Sequence, residues 1–317
     1  MQDAGFGAVG ITSFWQPGLT APAPEEVAVL RGVVERAGET RIFLGVYHPG
    51  SATTPLTEEA RTQFAAYVTA ALRNAPEIRD VIVGNEPNLN RFWLPQFDAE
   101  GGNVAAPAYL ALLIEVYEAV KKATPEVTVW GGALAPRGID RPGTGRDTHS
   151  PTTFIRDLGA AYRASGRTEP PLDGFAFHPY PLDSSVPPDQ PTDPKSTSIL
   201  IADYEKKLRP LLDEAFGPGL PVLYSELGVE TAIPQAKASL YEGEEPGAPV
   251  AEETQADFYR RAIDLAACQE NVAGLLLFHS HDEPALTGFQ SGIYYVDGTK
   301  KESFKPVSEA LERTMCR

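Results

Sequence analysis

The sequence predicts a parallel α/β fold, namely a (β/α)8 TIM barrel of which seven βα units are visible. The chain has 317 residues, 42% hydrophobic and 22% charged, as expected for one large globular domain over residues 1–317. Short apolar, β-branched runs alternate with amphipathic stretches of helical period, which favours a parallel sheet with helical connections. No linker divides the chain, because periodic structure resumes after the Pro-rich segment 181–194 and the loop 233–249.

The predicted strands are nearly continuous in apolar residues, as strands buried on both faces of a sheet should be. They are Ala8–Phe14, Arg41–Tyr47, Asp80–Glu86, Val127–Ala133, Gly174–His178, Pro221–Glu226 and Val272–His279. Amphipathic patterns between them predict helices over Thr57–Asn74, Pro107–Ala123, Thr152–Ser165, Ile199–Phe216 and Glu252–Glu270, with a last helix from near Pro306.

The eighth strand of a closed barrel is missing from this pattern. The segment from Met1 to Phe6 predicts the last turn of a helix, capped by Gly5 and leading into a strand. An open sheet would leave two unpaired edges, which proteins usually avoid. We therefore expect the first strand, and any signal peptide, to lie upstream of Met1.

The charge of the chain restricts its partners. The net charge is −16 and the pI is near 4.8, so the surface repels phosphate backbones and argues against nucleic-acid binding. No apolar run reaches the ~20 residues of a membrane helix. We expect a monomer without a cofactor, which is either secreted or, failing that, cytoplasmic.

Two alternatives stay open for Cys268 and Cys316: unlinked thiols on helices, or a disulfide formed in an oxidising compartment.

Two glutamates occur at strand ends, where parallel α/β barrels carry their reactive groups. The third predicted strand runs into Asn85-Glu86-Pro87-Asn88, and the sixth ends in Tyr224-Ser225-Glu226. Carboxylates from strands three apart face each other across the barrel mouth. Such a pair is what glycoside hydrolysis needs, since one carboxyl protonates the leaving oxygen while the other attacks the anomeric carbon or activates water.

These residues resemble clan A of the glycoside hydrolases, which includes the cellulase-like family 5 and family 39. In that clan the acid/base ends the fourth strand in an Asn-Glu pair, and the nucleophile is a Glu ending the seventh. Glu86 and Glu226 keep this interval, and the offset of one fits a missing first strand. The resemblance implies a retaining hydrolase of β-glycosidic bonds in an oligosaccharide, polysaccharide or glycoside, acting without a metal or other cofactor.

The resemblance also implies roles for neighbouring residues. Asn85 would bind the 2-hydroxyl of the substrate, and His178-Pro179-Tyr180 resembles the His-x-Tyr of the clan's sixth strand. Tyr180 would hold Glu226 ionised by lowering its pKa, while Glu86 needs a raised pKa. His178 would contact the sugar or the acid/base. Two features depart from the clan: residues 7–13 lack an Arg, and the segment Leu277 to His281 lacks a Trp.

Further residues at the same rim are candidate substrate contacts. His48 and His279 end strands, and Trp15, Trp93 and Phe289 lie in loops where aromatic rings could stack on a sugar. Packing within the loops is the alternative for each of them.

Other readings of this rim stay open. His279-x-His281 also permits a metal-dependent hydrolase, and a non-catalytic glycan-binding barrel is the other alternative. The rival nucleophiles are Glu230, Asp282 and Glu283. The loop with Arg137, Arg141, Arg146 and His149 is expected to be a solvated polar loop that could contact a hydroxyl-rich or acidic sugar.

Overall fold

The computed structural model describes residues 2–313 and residue 316. Seven parallel strands form one curled sheet in chain order, and a helix follows each strand. The strands are β1 (Ala8–Phe14), β2 (Arg41–Tyr47), β3 (Asp80–Val83), β4 (Thr128–Leu134), β5 (Gly174–Phe177), β6 (Val222–Leu227) and β7 (Val272–Leu277). The helices are α1 (Pro24–Ala37), α2 (Glu58–Asn74), α3 (Ala105–Ala123), α4 (Pro151–Ala164), α5 (Arg209–Phe216), α6 (Glu252–Cys268) and α7 (Phe304–Glu312). The architecture is a (β/α)8 barrel that lacks one unit, which confirms the predicted fold class.

The sheet is open between β1 and β7, since no backbone ladder joins these two strands in the described part of the chain. The sheet nevertheless curls enough to bring them near each other, because a Cβ placed on Gly10 of β1 would lie 3.3 Å from Cδ1 of Leu276 in β7. Apolar residues of both edges, such as Ile11 and Leu275, are only half-buried, whereas β3 and β5 are fully buried. In a closed barrel an eighth βα unit covers this edge.

Two helical regions differ from the sequence prediction, which omitted α1 and treated residues 199–216 as one helix. α1 begins at Pro24, and its first turn also contains Glu25 and Glu26. This pattern is typical of a helix N-terminus. Residues 201–216 form a 3₁₀ turn, a π-helical turn and then α5. Because Pro210 has no backbone N–H, an uninterrupted α-helical ladder cannot pass through this segment.

Cys268, the last residue of α6, forms a disulfide with Cys316. Of the two alternatives considered for these cysteines, the structure therefore has the disulfide and not the unlinked thiols. No helix in residues 2–313 is long and apolar enough to cross a membrane.

Candidate active site

Glu86 lies in a turn directly after β3 and not within the strand. β3 ends at Val83, after which Gly84 has a φ of +79° and Glu86 a φ of +42°. A side chain on Gly84 would lie 3.1 Å from the ring of Tyr109, so this position favours glycine for both backbone and packing reasons. The predicted strand end at Glu86 was wrong because the chain turns left-handed first. A positive φ strains a non-glycine residue, and such strain is concentrated at functional sites.

Hydrogen bonds hold this turn against the loop after β4. The backbone N–H of Glu86 donates to the carbonyl of Ala133 at 2.9 Å. The buried Asn88 side chain donates to the carbonyls of Ala135 (3.1 Å) and His149 (3.0 Å), and it accepts from the Ala135 N–H (3.0 Å). Asn88 therefore fixes the turn that carries Glu86 to the loop after β4. The sequence analysis missed this role of Asn88.

Glu226 lies near the end of β6 and shares a buried neighbour with Glu86. Nδ1 of His178 is 3.1 Å from Oε1 of Glu86 and 3.6 Å from Oε2 of Glu226, while the His178 side chain is only 2% exposed. The two carboxylate oxygens are therefore no farther apart than the sum of these distances. The Tyr180 hydroxyl donates to Oε2 of Glu226 at 3.2 Å. The structure thus brings together four of the predicted residues.

Burial and charge set the protonation of this group. Burial raises the pKa of Glu226 and the charge of Glu86 adds to this, although His178 and the Tyr180 hydrogen bond act in the lowering direction. The net direction is opposite to the one expected from Tyr180 alone, because desolvation outweighs one hydrogen bond. Burial lowers the pKa of His178, but Glu226 and Glu86 reverse this and leave it raised. Among the groups that raise the His178 pKa, the charge of Glu226 contributes most.

Two further polar side chains face the same cleft. Asn85 lines it and makes no side-chain hydrogen bond within the described residues, so its amide is available to a ligand. Tyr47, the last residue of β2, also lines the cleft. Burial and the nearby charges of Glu226 and Glu86 raise its pKa, although a hydrogen bond to Thr12 acts in the lowering direction. Tyr47 was not among the predicted site residues, although its place at a strand end was a usable signal.

The cleft has a volume of about 1810 Å³ and extends from the rim into the barrel. The predicted residues His279 and Phe289 line it. The imidazole of His279 stacks on Phe278 at 4.0 Å between ring centroids, and Phe278 meets Phe289 edge-to-face at 5.1 Å. An aromatic wall therefore lies along the cleft directly after β7.

Three other predicted contacts lie outside the cleft. Trp15 is 0% exposed, Trp93 1% and His48 2%. The Trp15 indole donates to the carbonyl of Leu19, and Trp93 packs edge-to-face against His48 and Tyr109. The expectation that Trp15, Trp93 and His48 contact a sugar directly was wrong. These side chains pack inside the protein, because the loops after β1, β2 and β3 fold their rings inward.

The metal-site alternative gains no support from the histidines. His281 stacks on Tyr294 at 4.9 Å, whereas His279 stacks on Phe278, so the two rings have different surroundings. In residues 2–313 and 316, no three His, Cys, Asp or Glu side chains are grouped as a metal site would require.

The rival nucleophiles have surroundings that differ from those of Glu226. Asp282 is fully buried in an ion pair with Lys301 at 2.8 Å. Glu283 accepts a hydrogen bond from the backbone N–H of Phe289. Glu230 lines the cleft, where burial and the charge of Glu245 raise its pKa. None of the three shares His178 with Glu86, as Glu226 does.

Comparison with known proteins places the fold among glycoside hydrolases. No family model and no curated protein sequence matches the chain. A family 39 glycoside hydrolase from the gut symbiont Bacteroides cellulosilyticus WH2 has a TM-score of 0.66 and 19% identity, over 97% of this chain and 58% of that one. GH5_18 from Streptomyces cattleya, in complex with Manb1-4GlcNAc, has a TM-score of 0.63 and 18% identity, over 98% and 72%.

A GH2 beta-galacturonidase from Eisenbergiella tayi has a TM-score of 0.56 and 17% identity, over 98% of this chain and 45% of that one. The chain thus spans about half the length of several structures that it matches, and 58% of the family 39 protein. At these identities the likeness is one of fold. In fold, the chain is similar to glycoside hydrolases, as its resemblance to clan A implies.

Proposed function

We propose that this protein is a retaining glycoside hydrolase that cleaves β-glycosidic bonds of oligosaccharides, polysaccharides or glycosides. The observation that carries this proposal is the pair Glu86 and Glu226, which come from the ends of β3 and β6 and share the buried His178. The glycoside hydrolase fold of the similar structures supports it.

The geometry favours a short carboxylate pair. Retaining enzymes have carboxyl groups ~5–5.5 Å apart, and inverting enzymes ~6.5–9.5 Å. The distances of 3.1 and 3.6 Å from Nδ1 of His178 mean that Oε1 of Glu86 and Oε2 of Glu226 cannot be farther apart than the sum of the two. This upper limit lies just above the lower edge of the inverting range. Direct attack on the sugar by one carboxylate fits this spacing better than attack by an interposed water.

In the first step of the proposed reaction, an oxygen of Glu226 attacks the anomeric carbon as the glycosidic bond breaks. Glu86 gives its proton to the leaving oxygen, and a covalent glycosyl ester forms. In the second step, Glu86 takes a proton from a water that attacks the same carbon, and Glu226 leaves as a carboxylate. The two inversions restore the β-configuration, and the enzyme returns to its starting protonation.

The surrounding residues help Glu226 to ionise despite its burial. The His178 cation and the Tyr180 hydrogen bond both act to lower its pKa. His178 thereby supplies a positive charge next to the nucleophile in a chain that lacks the clan's Arg near β1. Asn85, His279 and Phe289, which line the cleft, are proposed to contact the sugar.

Azide rescue of two alanine variants tests the assignment on a panel of aryl β-glycosides that includes mannoside and galacturonide. Glu226→Ala should lose turnover and, with azide, release an α-glycosyl azide, because azide replaces the missing nucleophile. Glu86→Ala with azide should release the β-glycosyl azide instead. Glu244→Ala, an exposed loop glutamate, serves as the control. Unimpaired hydrolysis by Glu226→Ala would refute the proposal, and oligosaccharide binding without turnover by the unmodified protein would favour the glycan-binding alternative.

We also propose that the protein is secreted. The disulfide between Cys268 and Cys316 supports this, because disulfides persist mainly in oxidising compartments. Detection of the protein in the culture medium of its source cells, with no free thiol, is the expected result. Recovery from the cell interior with both thiols free would contradict it.

A further inference from the structure

The charged side chains at the cleft mouth are segregated by sign. Apart from Glu86, the described charged residues that line the mouth in the loops after β3 and β4 are arginines, whereas those in the loops after β5, β6 and β7 are acidic. The first set is Arg91, Arg137 and Arg146, and the second is Asp183, Glu230 and Glu283. The net charge of the protein is −16, so the arginines form a positively charged wall on a protein whose overall charge is negative.

The three arginines have unused hydrogen-bonding capacity. None of them forms a salt bridge within the described residues, although many surface arginines of this chain do. Arg137 donates one N–H to the carbonyl of Pro181 at 2.9 Å, and the Arg91 guanidinium lies 5.3 Å from the centroid of the Phe92 ring. A guanidinium carries five N–H donors in a planar fork that matches a carboxylate or sulfate.

The arginines belong to one wall, and this wall lies on the side of the acid/base. The side chain of Asn90 donates to the carbonyl of Gly145 at 3.4 Å, which joins the loop of Arg91 to that of Arg146. Glu86 and, from the loop after β5, Asp183 are close enough to Arg137 for their charges to favour the guanidinium cation, although burial lowers the Arg137 pKa overall. In the proposed mechanism the leaving group is the part of the substrate next to Glu86.

Resting on the proposed function, we infer that the leaving-group side of the cleft binds an anionic substituent, a carboxylate or a sulfate carried by the part of the substrate that Glu86 protonates. The acidic wall disfavours such a group on the side of β6 and β7. The cleft then selects for orientation, because the substrate places its anion toward β3 and β4.

Matched aryl β-glycosides test this inference. Glucosides, galactosides, mannosides and xylosides are prepared with 4-carboxyphenyl or 4-carbamoylphenyl leaving groups, and a second set carries 4-sulfonatophenyl or 4-sulfamoylphenyl. The quantity compared is the ratio of kcat/KM for the charged member to that for its neutral isostere. Intrinsic leaving-group reactivity cancels when this ratio is compared between variants.

The variants are Arg137→Gln and Arg146→Gln, and the control is Arg141→Gln, an exposed arginine of the same loop that does not line the cleft. We expect the charged-to-neutral ratio to fall about fivefold in each test variant, as for partly exposed charge pairs, and to stay unchanged in the control. Raised salt should weaken the preference of the unmodified protein. The pair that responds identifies the anion.

A ratio that is unchanged in both test variants, for both pairs, overturns the inference while the observed turnover upholds the proposed function. Absence of turnover on every glycoside refutes the proposed function instead, and the inference falls with it.

Discussion

Replacing Tyr180 with Phe removes one hydroxyl and tests how the nucleophile is kept ionised. The lost hydrogen bond to Oε2 of Glu226 is 3.2 Å long, so we take the lower end of the range for bonds to charged groups, about 1.5 kcal/mol. This equals a rise of about one unit in the pKa of Glu226, and therefore a loss of about tenfold in kcat/KM at pH values below that pKa. Because Glu226 must be ionised to attack, activity rises as pH rises through its pKa. The acid limb of the pH–kcat/KM profile should therefore move to higher pH.

The assay is the pH dependence of kcat/KM on an aryl β-glycoside, measured for the unmodified protein, Tyr180→Phe and Tyr117→Phe. Tyr117 is the matched control, because its hydroxyl donates a hydrogen bond of 3.4 Å to Asp173, outside the cleft. The pH profile of Tyr117→Phe should therefore not move. An acid limb that stays in place, or moves to lower pH, in Tyr180→Phe would refute the reasoning.

Three further predictions concern stability. His178 has a folded-state pKa raised above its usual 6.5. Its protonation therefore contributes fully to the stability of the folded state below pH 6.5, and this stabilisation is lost as pH rises through the folded-state pKa. The difference in Tm between the unmodified protein and His178→Gln should therefore shrink toward alkaline pH in scanning fluorimetry, and a difference that grows would contradict this. Lys301→Met leaves Asp282 as an unpaired charge in a site where both side chains are 0% exposed, and urea unfolding should show a loss of about 3–5 kcal/mol; a loss below about 1 kcal/mol would be inconsistent with a charged pair. Cys268→Ser removes a disulfide with Cys316 that spans 48 residues, which corresponds to about 4 kcal/mol of loop-closure entropy. Unfolding of the unmodified protein under reducing conditions should match that variant, and equal stability with and without reductant would argue against the disulfide.

The strands were predictable because strands buried on both faces of a sheet leave short, nearly continuous apolar runs in the sequence. Their ends were less predictable, since they depend on local backbone conformation. Val83-Gly84-Asn85-Glu86 has the composition of a strand ending in polar residues, yet Gly84 and Glu86 adopt positive φ and end β3 at Val83. The close approach of the Tyr109 ring to Gly84, which favours glycine at this position, is visible only in the structure.

The candidate site was predictable in so far as it follows from topology. Parallel strands share an end, so Glu86 and Glu226 had to meet at one rim. The direction of the Glu226 pKa was not predictable, because burial depends on how the loops close over the carboxylate. The fate of loop aromatics also depends on packing: Phe289 lines the cleft, whereas Trp15 is buried beneath its loop.

Covalent trapping tests the central claim most directly, namely that Glu226 is the nucleophile of a retaining glycosidase. A 2-deoxy-2-fluoro β-glycoside with an activated leaving group slows the second step more than the first and lets the glycosyl ester accumulate. Peptide mapping by mass spectrometry should then place one fluorosugar on the peptide that contains Glu226. A label on Glu86 or Glu230, or turnover of the parent glycoside with no trapped ester and an inverted product, would contradict the proposed mechanism.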